Sequence, residues 1–488
     1  MKRFIYTVTL ICFFMLASPN QSNAEELSLD KFNSFTKVSR TNLKSGQFRV
    51  IVEFQTDSGP TFANSNELPS LIHKSINKTG QESDRDTYLL STLKRESKTA
   101  SSLGGRYVRP NLRTLSVNQA ELLNLIADDS LTVYEDKFHK PSLASTVDVV
   151  FPTQTASAYS GAGQAVVVLD TGVNKNHSFL SGSVIAAAEA CFSTNDSNNF
   201  LDSLCPNGQE SMTGSGAGVA CGSNIAECAH GTQMAGVIAG QGANFNGVAT
   251  SARIIPVQIY TSSSNEFVCG DASLTPCIGA LTSDIVSALD YVNSIKTTYS
   301  IAAVNISAGS TGTFQGECDT EEPLSYTSAI ADLSASGIAV IASSGNSALE
   351  NEMSSPACLS DVIAVAATND SDVAWSLNNR NSELDFFAPG VSVTTSTLPN
   401  NGFTAVTGTS VSAAHVSGAW AVLKSKTPNA SVASIRNTLT RNGRSVTQGL
   451  FTKPRITVTG SLREVFTPDP GSDTSFIPAV HFLLLDDE

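Results

Sequence analysis

Ser410 stands in the run Gly408-Thr409-Ser410-Val411-Ser412-Ala413-Ala414-His415-Val416, a tight turn that opens into a small-residue helical pattern reaching about Lys426. A hydroxyl at a helix start faces unpaired backbone N–H groups, which favour developing negative charge. Serine attack on a carbonyl creates such charge, but the hydroxyl needs a base to activate it and the base needs a third group to orient it. Of the 6 histidines, His230 has a matching setting in Ala229-His230-Gly231-Thr232-Gln233-Met234-Ala235-Gly236. The carboxylate is Asp170, which closes Ala165-Val166-Val167-Val168-Leu169-Asp170 ahead of Thr171-Gly172. Singly, each residue has a plainer reading, as a helix cap or a structural imidazole. Together they specify acyl transfer by a base-activated serine.

The elements that must hold them are legible too. The apolar run before Asp170 predicts a buried parallel strand, with the carboxylate at the carboxyl end where open α/β sheets hold their reacting groups. His230 and Ser410 each open a helix. Strands are expected over Ile254–Tyr260, Ile301–Ile306 and Val362–Ala367. Helices are expected over Ser283–Lys296, Leu324–Ala335 and Val432–Thr440. This alternation predicts an α/β fold with a doubly wound, mostly parallel sheet flanked by helices.

The order Asp, His, Ser is that of subtilisin-type proteases, and the three blocks resemble those of the subtilase family. Asp170-Thr171-Gly172, His230-Gly231-Thr232 with Ala235-Gly236, and Gly408-Thr409-Ser410 with His415-Val416 and Gly418 match its motifs across roughly residues 150–460. The resemblance implies a serine endopeptidase with Asp170, His230 and Ser410 as triad. Ser343-Ser344-Gly345-Asn346 resembles the family's oxyanion segment, which implies that Asn346 and the Ser410 N–H stabilise the oxyanion. Ser307-Ala308-Gly309 resembles the edge strand that pairs with extended substrate, and alignment through Pro356 sets Ser354 near the base of the S1 pocket. No acid is evident there, so a broad or apolar preference is expected. The chain departs from the family pattern in Val411-Ser412-Ala413-Ala414, which lacks the usual proline, and in Gln233, where a second histidine is common. Gly240 to Val248 is too short for the family's tight calcium loop, so no cofactor is expected for the chemistry and calcium is not assigned. His415 is read as structural and His177 as a surface residue.

Two rivals make contrasting demands. A catalytically dead, subtilase-like binding protein would have a broken triad or oxyanion donor, and none is broken. An esterase-type hydrolase would carry its serine in Gly-x-Ser-x-Gly, which Gly408-Thr409-Ser410-Val411-Ser412 is not.

The 488 residues carry a net charge of −14 and 41% hydrophobic residues, a globular composition with no basic face for nucleic acid. Met1-Lys2-Arg3, an apolar run from Phe4 to Ala17, and Ser22 and Ala24 read as a secretory signal over 1–24. A secreted protein, extracellular or periplasmic in transit, is therefore expected, with no membrane anchor in the mature chain and a monomeric state. Residues 25–145 read as a small α+β unit: a Gln47–Phe54 strand with one wet face, a helix capped by Ser116 with Gln119 three residues on, and a Leu131–Glu135 strand. Before a subtilase domain this resembles an inhibitory propeptide, which the enzyme would bind and cut from itself in the polar stretch between His139 and Thr146. The catalytic domain is placed at 146–463. The tail, 464–488, combines a Pro-Gly linker with an apolar run that reads as either a sorting signal or a docked edge strand, the latter preferred. Partners are thus protein or peptide substrates and the chain's own propeptide.

Of 9 cysteines, Cys12 lies in the signal. The even remainder, Cys191, Cys205, Cys221, Cys228, Cys269, Cys277, Cys318 and Cys358, suggests disulfides in an exported protein. Eight cysteines allow 105 connectivities. Proximity favours Cys191–Cys205, Cys221–Cys228 and Cys269–Cys277, with Cys318–Cys358 left over; a zinc site at Cys221 and Cys228 is the alternative. The Ser-, Asn- and Gly-rich insert between Asp170 and His230 is expected to rely on such cross-links in place of a core.

Overall fold

In the computed structural model, residues 47–54, 107–109, 112–126, 131–136, 138–141, 149–151, 158–222, 225–270, 274–399 and 401–464 are described. The signal segment, Cys12, the 142–148 junction and the 465–488 tail lie outside them. The chain divides into two units, Met1–Asp136 and Lys137–Glu488.

The first unit has strands β1 (Gln47–Phe54), β2 (Tyr107–Arg109) and β3 (Leu112–Asn118), helix α1 (Gln119–Ile126) and strand β4 (Leu131–Glu135). The order β2-β3-β1-β4 is antiparallel between β1 and both β3 and β4. Val50, Val52, Leu115 and Val117 form one buried face, which Leu122 and Leu125 of α1 cover. The expected helix cap is corrected. Ser116 is committed to the β1–β3 ladder opposite Arg49, and Asn118 caps instead. Its Oδ1 accepts from the Glu121 N–H at 3.1 Å, while Glu121 Oε2 accepts from the Asn118 N–H at 2.9 Å, a reciprocal capping box. The expected wet face of β1 is also corrected: Arg49, Ile51 and Glu53 are all buried. The Arg49 guanidinium is neutralised by Asp136 at 2.7 Å.

The second unit contains, in chain order, β5 (Phe138–Pro141), β6 (Ala165–Asp170), β7 (Ala190–Phe192), β8 (Leu201–Ser203), β9 (Ser211–Thr213), α2 (His230–Ala239), β10 (Arg253–Gln258), β11 (Tyr260–Ser263), α3 (Glu266–Cys269), β12 (Cys277–Leu281) and α4 (Thr282–Ile295). There follow β13 (Ile301–Ile306), β14 (Ala308–Ser310), β15 (Thr313–Phe314), α5 (Leu324–Ala335), β16 (Ala339–Ser343), β17 (Met353–Ser354), β18 (Val362–Thr368), β19 (Leu384–Pro389), β20 (Val393–Thr397) and β21 (Gly402–Val406). The unit closes with α6 (Thr409–Lys426), α7 (Val432–Asn442), β22 (Arg444–Gln448), β23 (Phe451–Arg455) and α8 (Val458–Arg463).

The main sheet has the order β22-β23-β19-β18-β16-β13-β6-β10-β7-β9. Its strands from β23 to β7 are parallel, and the two ends turn back antiparallel. Buried on both sides, these strands consist of near-continuous apolar residues, as parallel strands under two helical layers must. Val166 and Val168 join the core formed with α2 and α6, while the alternate Val167 and Leu169 are buried toward the opposite face. After β6 the chain forms β7, β9 and β10 on one side of it, and β13 lies on the other. Asp170 therefore ends the strand at which the winding reverses, where crevices form in such sheets.

The expected Ile254–Tyr260 strand is two strands in two sheets: the Ile259 N–H still bonds the Asp170 carbonyl at 3.0 Å, and beyond it the Gln258 side chain takes up the N–H and carbonyl of Tyr260. A second sheet, β14-β5-β12-β11-β8, begins there. The insert after Asp170 also departs from expectation. It buries Leu180, Cys191, Ser193 and Thr194, and the Thr194 hydroxyl donates to the buried Asp284 carboxylate at 3.1 Å. Polar groups are buried there because they satisfy one another.

Candidate active site

Asp170 and His230 meet in the interior: the carboxylate oxygens lie 2.8 and 2.9 Å from His230 Nδ1. Both side chains are fully buried. Asp170 Oδ1 also accepts the Thr171 N–H at 2.7 Å. The Thr171 hydroxyl in turn accepts the Gly231 N–H at 2.9 Å, so the residues after the acid and after the base are joined directly. Gly172 turns the chain away at φ +83°, and any Cβ there would strike the Val219 carbonyl. Close beneath the pair, burial pushes the Tyr260 phenol far up, and the Asp170 charge adds to it. That phenol stays neutral beside the carboxylate.

Ser410 is the second residue of α6 and is buried. Its hydroxyl donates to the Ser307 carbonyl at 3.3 Å, while the Ser307 hydroxyl donates to the Ser410 carbonyl at 2.9 Å. Asn305 Nδ2 supports Ser307 Oγ at 2.8 Å, and the Ser417 hydroxyl, two turns along α6, supports Asn305 Oδ1 at 3.1 Å. The strand that presents Ser307 is thus locked to the helix that presents Ser410. Gly418 lets α6 approach its neighbours: a Cβ there would lie 2.7 Å from Val248 Cβ and 3.3 Å from the Ile238 carbonyl of α2.

Asn346 follows β16. Its Oδ1 accepts from the Thr409 N–H at 2.9 Å and the Thr409 hydroxyl at 2.8 Å. With the oxygen so committed, the amide NH₂ is the end free to meet an anion. Asn379 braces the same loop through Oδ1, which accepts the N–H groups of Ser347 and Leu349 at 2.8 and 3.1 Å. Thr171, Thr409 and Asn379 were not singled out in the sequence. The first two flank named residues. Asn379, in the polar run Asn378-Asn379-Arg380-Asn381, gives no local signal that it is buried.

Of the substrate-contacting candidates, Ala308 and Gly309 lie in β14 with Ser307 just ahead, and Ser354 ends β17. Ser354 packs beneath two glycines: a Cβ on Gly309 would come within 3.2 Å of it, and one on Gly345 within 3.3 Å of its hydroxyl. β5 pairs antiparallel with both β14 and β12, with Gly309 opposite Lys140, Ala308 opposite Pro141 and Ala280 opposite His139. In this register β5 runs toward the Ser307 end of β14.

The eight remaining cysteines form Cys191–Cys205, Cys221–Cys228, Cys269–Cys277 and Cys318–Cys358. No group of three or more metal-ligating side chains occurs among the described residues. His415 is buried in α6, with Nδ1 2.8 Å from the Val411 carbonyl. The surface position expected for His177 is corrected: it is fully buried, Nδ1 accepts the Phe179 N–H at 3.1 Å, and Nε2 lies 2.9 Å from the Gly402 carbonyl. Both ring nitrogens are satisfied without water, which is what permits burial.

The Subtilase family description matches residues 161–455. Subtilisin DY of Bacillus licheniformis is 29% identical over 289 residues, covering 58% of this chain and 85% of its own. Subtilisin E of Bacillus subtilis is 26% identical over 339 residues, or 67% and 74%. An extracellular protease of Xanthomonas campestris pv. campestris is 27% identical over 355 residues, or 68% and 55%. None of the described helices is long and apolar enough to cross a membrane. The matched span contains all four chemical blocks and the sheet that carries them, and the chain belongs to the subtilase family of serine endopeptidases.

Proposed function

We propose that the chain hydrolyses peptide bonds through an acyl-enzyme formed on Ser410, and that it is made as an exported, self-processed zymogen. The observation that carries the reading is the buried Asp170–His230 contact at 2.8 Å, set between a strand end and the start of α2. In the first step Ser410 Oγ bonds to the substrate carbonyl carbon and its proton passes to His230. Asp170 holds the resulting imidazolium. The oxyanion takes hydrogen bonds from the Asn346 amide and the Ser410 N–H. Collapse breaks the C–N bond as His230 returns the proton to the leaving amine. Water then repeats the sequence and releases the acid.

Extended substrate would pair with β14 and β12, the strands that β5 now engages. That pairing supports the processing reading: the chain's own segment runs antiparallel along β14 toward Ser307, as a substrate would. Ser354, the residue expected at the base of the S1 pocket, is small and uncharged, which supports a preference for small or apolar side chains. The leader at residues 1–24 supports export. Profiling of peptides released from a proteome by the purified mature enzyme tests activity and preference together; an absence of new peptide termini would contradict the reading.

A further inference from the structure

We infer that the Cys221–Cys228 cystine is a positioning element of the catalytic pair, beyond its contribution to stability. The inference rests on the acid–base reading of Asp170 and His230 above.

Three observations lead to it. First, α2 starts at His230 with no side-chain cap, because Ala229 occupies the N-cap position. The 3₁₀ turn Ala226–Ala229 runs straight into that start and its Glu227 carbonyl accepts the His230 N–H, so whatever fixes the turn fixes His230. Second, the cystine anchors that start. Cys228 is two residues before His230 and fully buried, and it is joined to Cys221, which is also buried. Third, both half-cystines are bonded to the residue that follows the acid. The Cys221 N–H donates to the Thr171 carbonyl at 3.0 Å, and the Thr171 hydroxyl donates to the Cys228 carbonyl at 3.2 Å. The Val173 N–H extends the same seam to the Gly218 carbonyl at 2.9 Å.

The result is a closed circuit: Asp170, Thr171, the cystine, the start of α2, His230, and back to Asp170 through Nδ1. Opening the cystine leaves the α2 start tied to the segment after Asp170 by hydrogen bonds only, through the Thr171 hydroxyl and from the Asn174 N–H to Thr232 Oγ1. His230 would then sample orientations in which the Asp170 contact is lengthened. Cys191–Cys205 instead links β7, opposite Gln258 of β10, to the turn in which the Gly208 N–H bonds the Cys205 carbonyl, away from Thr171 and the start of α2.

The test compares Cys221→Ala/Cys228→Ala with Cys191→Ala/Cys205→Ala in the full-length chain, each processed and purified as the mature enzyme. The inference predicts that the first pair lowers kcat on the order of 10–100-fold with KM nearly unchanged, the range expected when a catalytic group is misplaced by about an ångström. The acid limb of its kcat/KM profile should also move, since that limb reports the state of the pair. The second pair should keep wild-type kcat and pH profile. If the first pair only lowers the melting temperature and keeps both kcat and pH profile, the cystine is structural and the inference fails. Should the variant not accumulate, the milder Thr171→Ser/Thr171→Val series keeps the test open: Ser retains the bonding hydroxyl and should retain the profile, whereas Val should shift it. Asp170→Asn run alongside separates the two readings, because retained activity there would overturn the catalytic pair itself.

Discussion

Thr409 holds Asn346 by its carboxamide oxygen, accepting no part of the oxyanion role itself but fixing which end of the amide faces the site. Backbone N–H and side-chain hydroxyl lie 2.9 and 2.8 Å from Asn346 Oδ1. Thr409→Val removes only the hydroxyl. A net hydrogen bond of this kind is about 1 kcal/mol, so kcat should fall roughly 5- to 10-fold with little change in KM. Asn346→Ala removes the donor; in subtilisin, loss of the corresponding donor costs about 10²–10³-fold in kcat, and the same is expected here. Steady-state kinetics on one peptide substrate checks both. A larger loss from Thr409→Val than from Asn346→Ala would contradict the arrangement.

Under the proposed self-processing, the β5 register predicts where the cut falls. Pro141 faces Ala308, the neighbour of Ser307 whose carbonyl receives the Ser410 hydroxyl, so the proposed cut falls one residue beyond Pro141. The mature protein should then begin at Leu143, and Ser410→Ala should accumulate the uncut precursor. N-terminal sequencing of both proteins decides. Normal processing of Ser410→Ala would rule out self-cleavage.

Asp372 gives the fold a specific acid sensitivity. Burial alone would raise its carboxyl, but hydrogen bonds and charge from Arg455, then Arg444, outweigh it and hold the group below its ordinary value. Arg455 Nε and Nη2 lie 2.6 and 3.1 Å from the two oxygens. A depressed carboxyl binds fewer protons folded than unfolded. Its stabilisation is therefore full above the ordinary aspartate value of about 3.9 and is lost as pH falls through the lower folded value. Asp372→Asn should lower the melting temperature at neutral pH, and the gap to wild type should close on acidification. A gap that is constant with pH would show that the ion pair does not carry the effect.

The approach of α6 to α2 depends on Gly418. Gly418→Ala places a methyl 2.7 Å from Val248 Cβ and should destabilise by roughly 1–3 kcal/mol, the usual cost of overpacking. Thermal unfolding of inhibitor-blocked enzyme, which cannot digest itself, measures it. An unchanged or raised melting temperature would show that the helices separate freely.

Much of this was legible in the chain. The buried strand ahead of Asp170, the two helix starts and Leu324–Ala335 follow from runs of apolar or small residues whose period is local. What escaped depends on partners far away in sequence. His177 is buried because Gly402, 225 residues on, accepts its bond. Ile254–Tyr260 looks like one strand, and its lone amide, Gln258, reveals the step only once its side chain is seen bonded to the N–H and carbonyl of Tyr260. Asn118 rather than Ser116 is the cap because β3 continues through Asn118 and α1 starts only at Gln119. Asn379 looks like a loop residue until its loop is seen wrapped beneath Asn346.

The central claim is that Ser410 is the nucleophile, activated by His230 and Asp170. Its most direct measurement is stoichiometric labelling of the mature enzyme with a fluorophosphonate, with the modified residue located by peptide mass spectrometry. The account predicts one label per chain, on Ser410, abolished in Ser410→Ala and strongly slowed in His230→Ala. A label on any other residue, or undiminished labelling of Ser410→Ala, would contradict it.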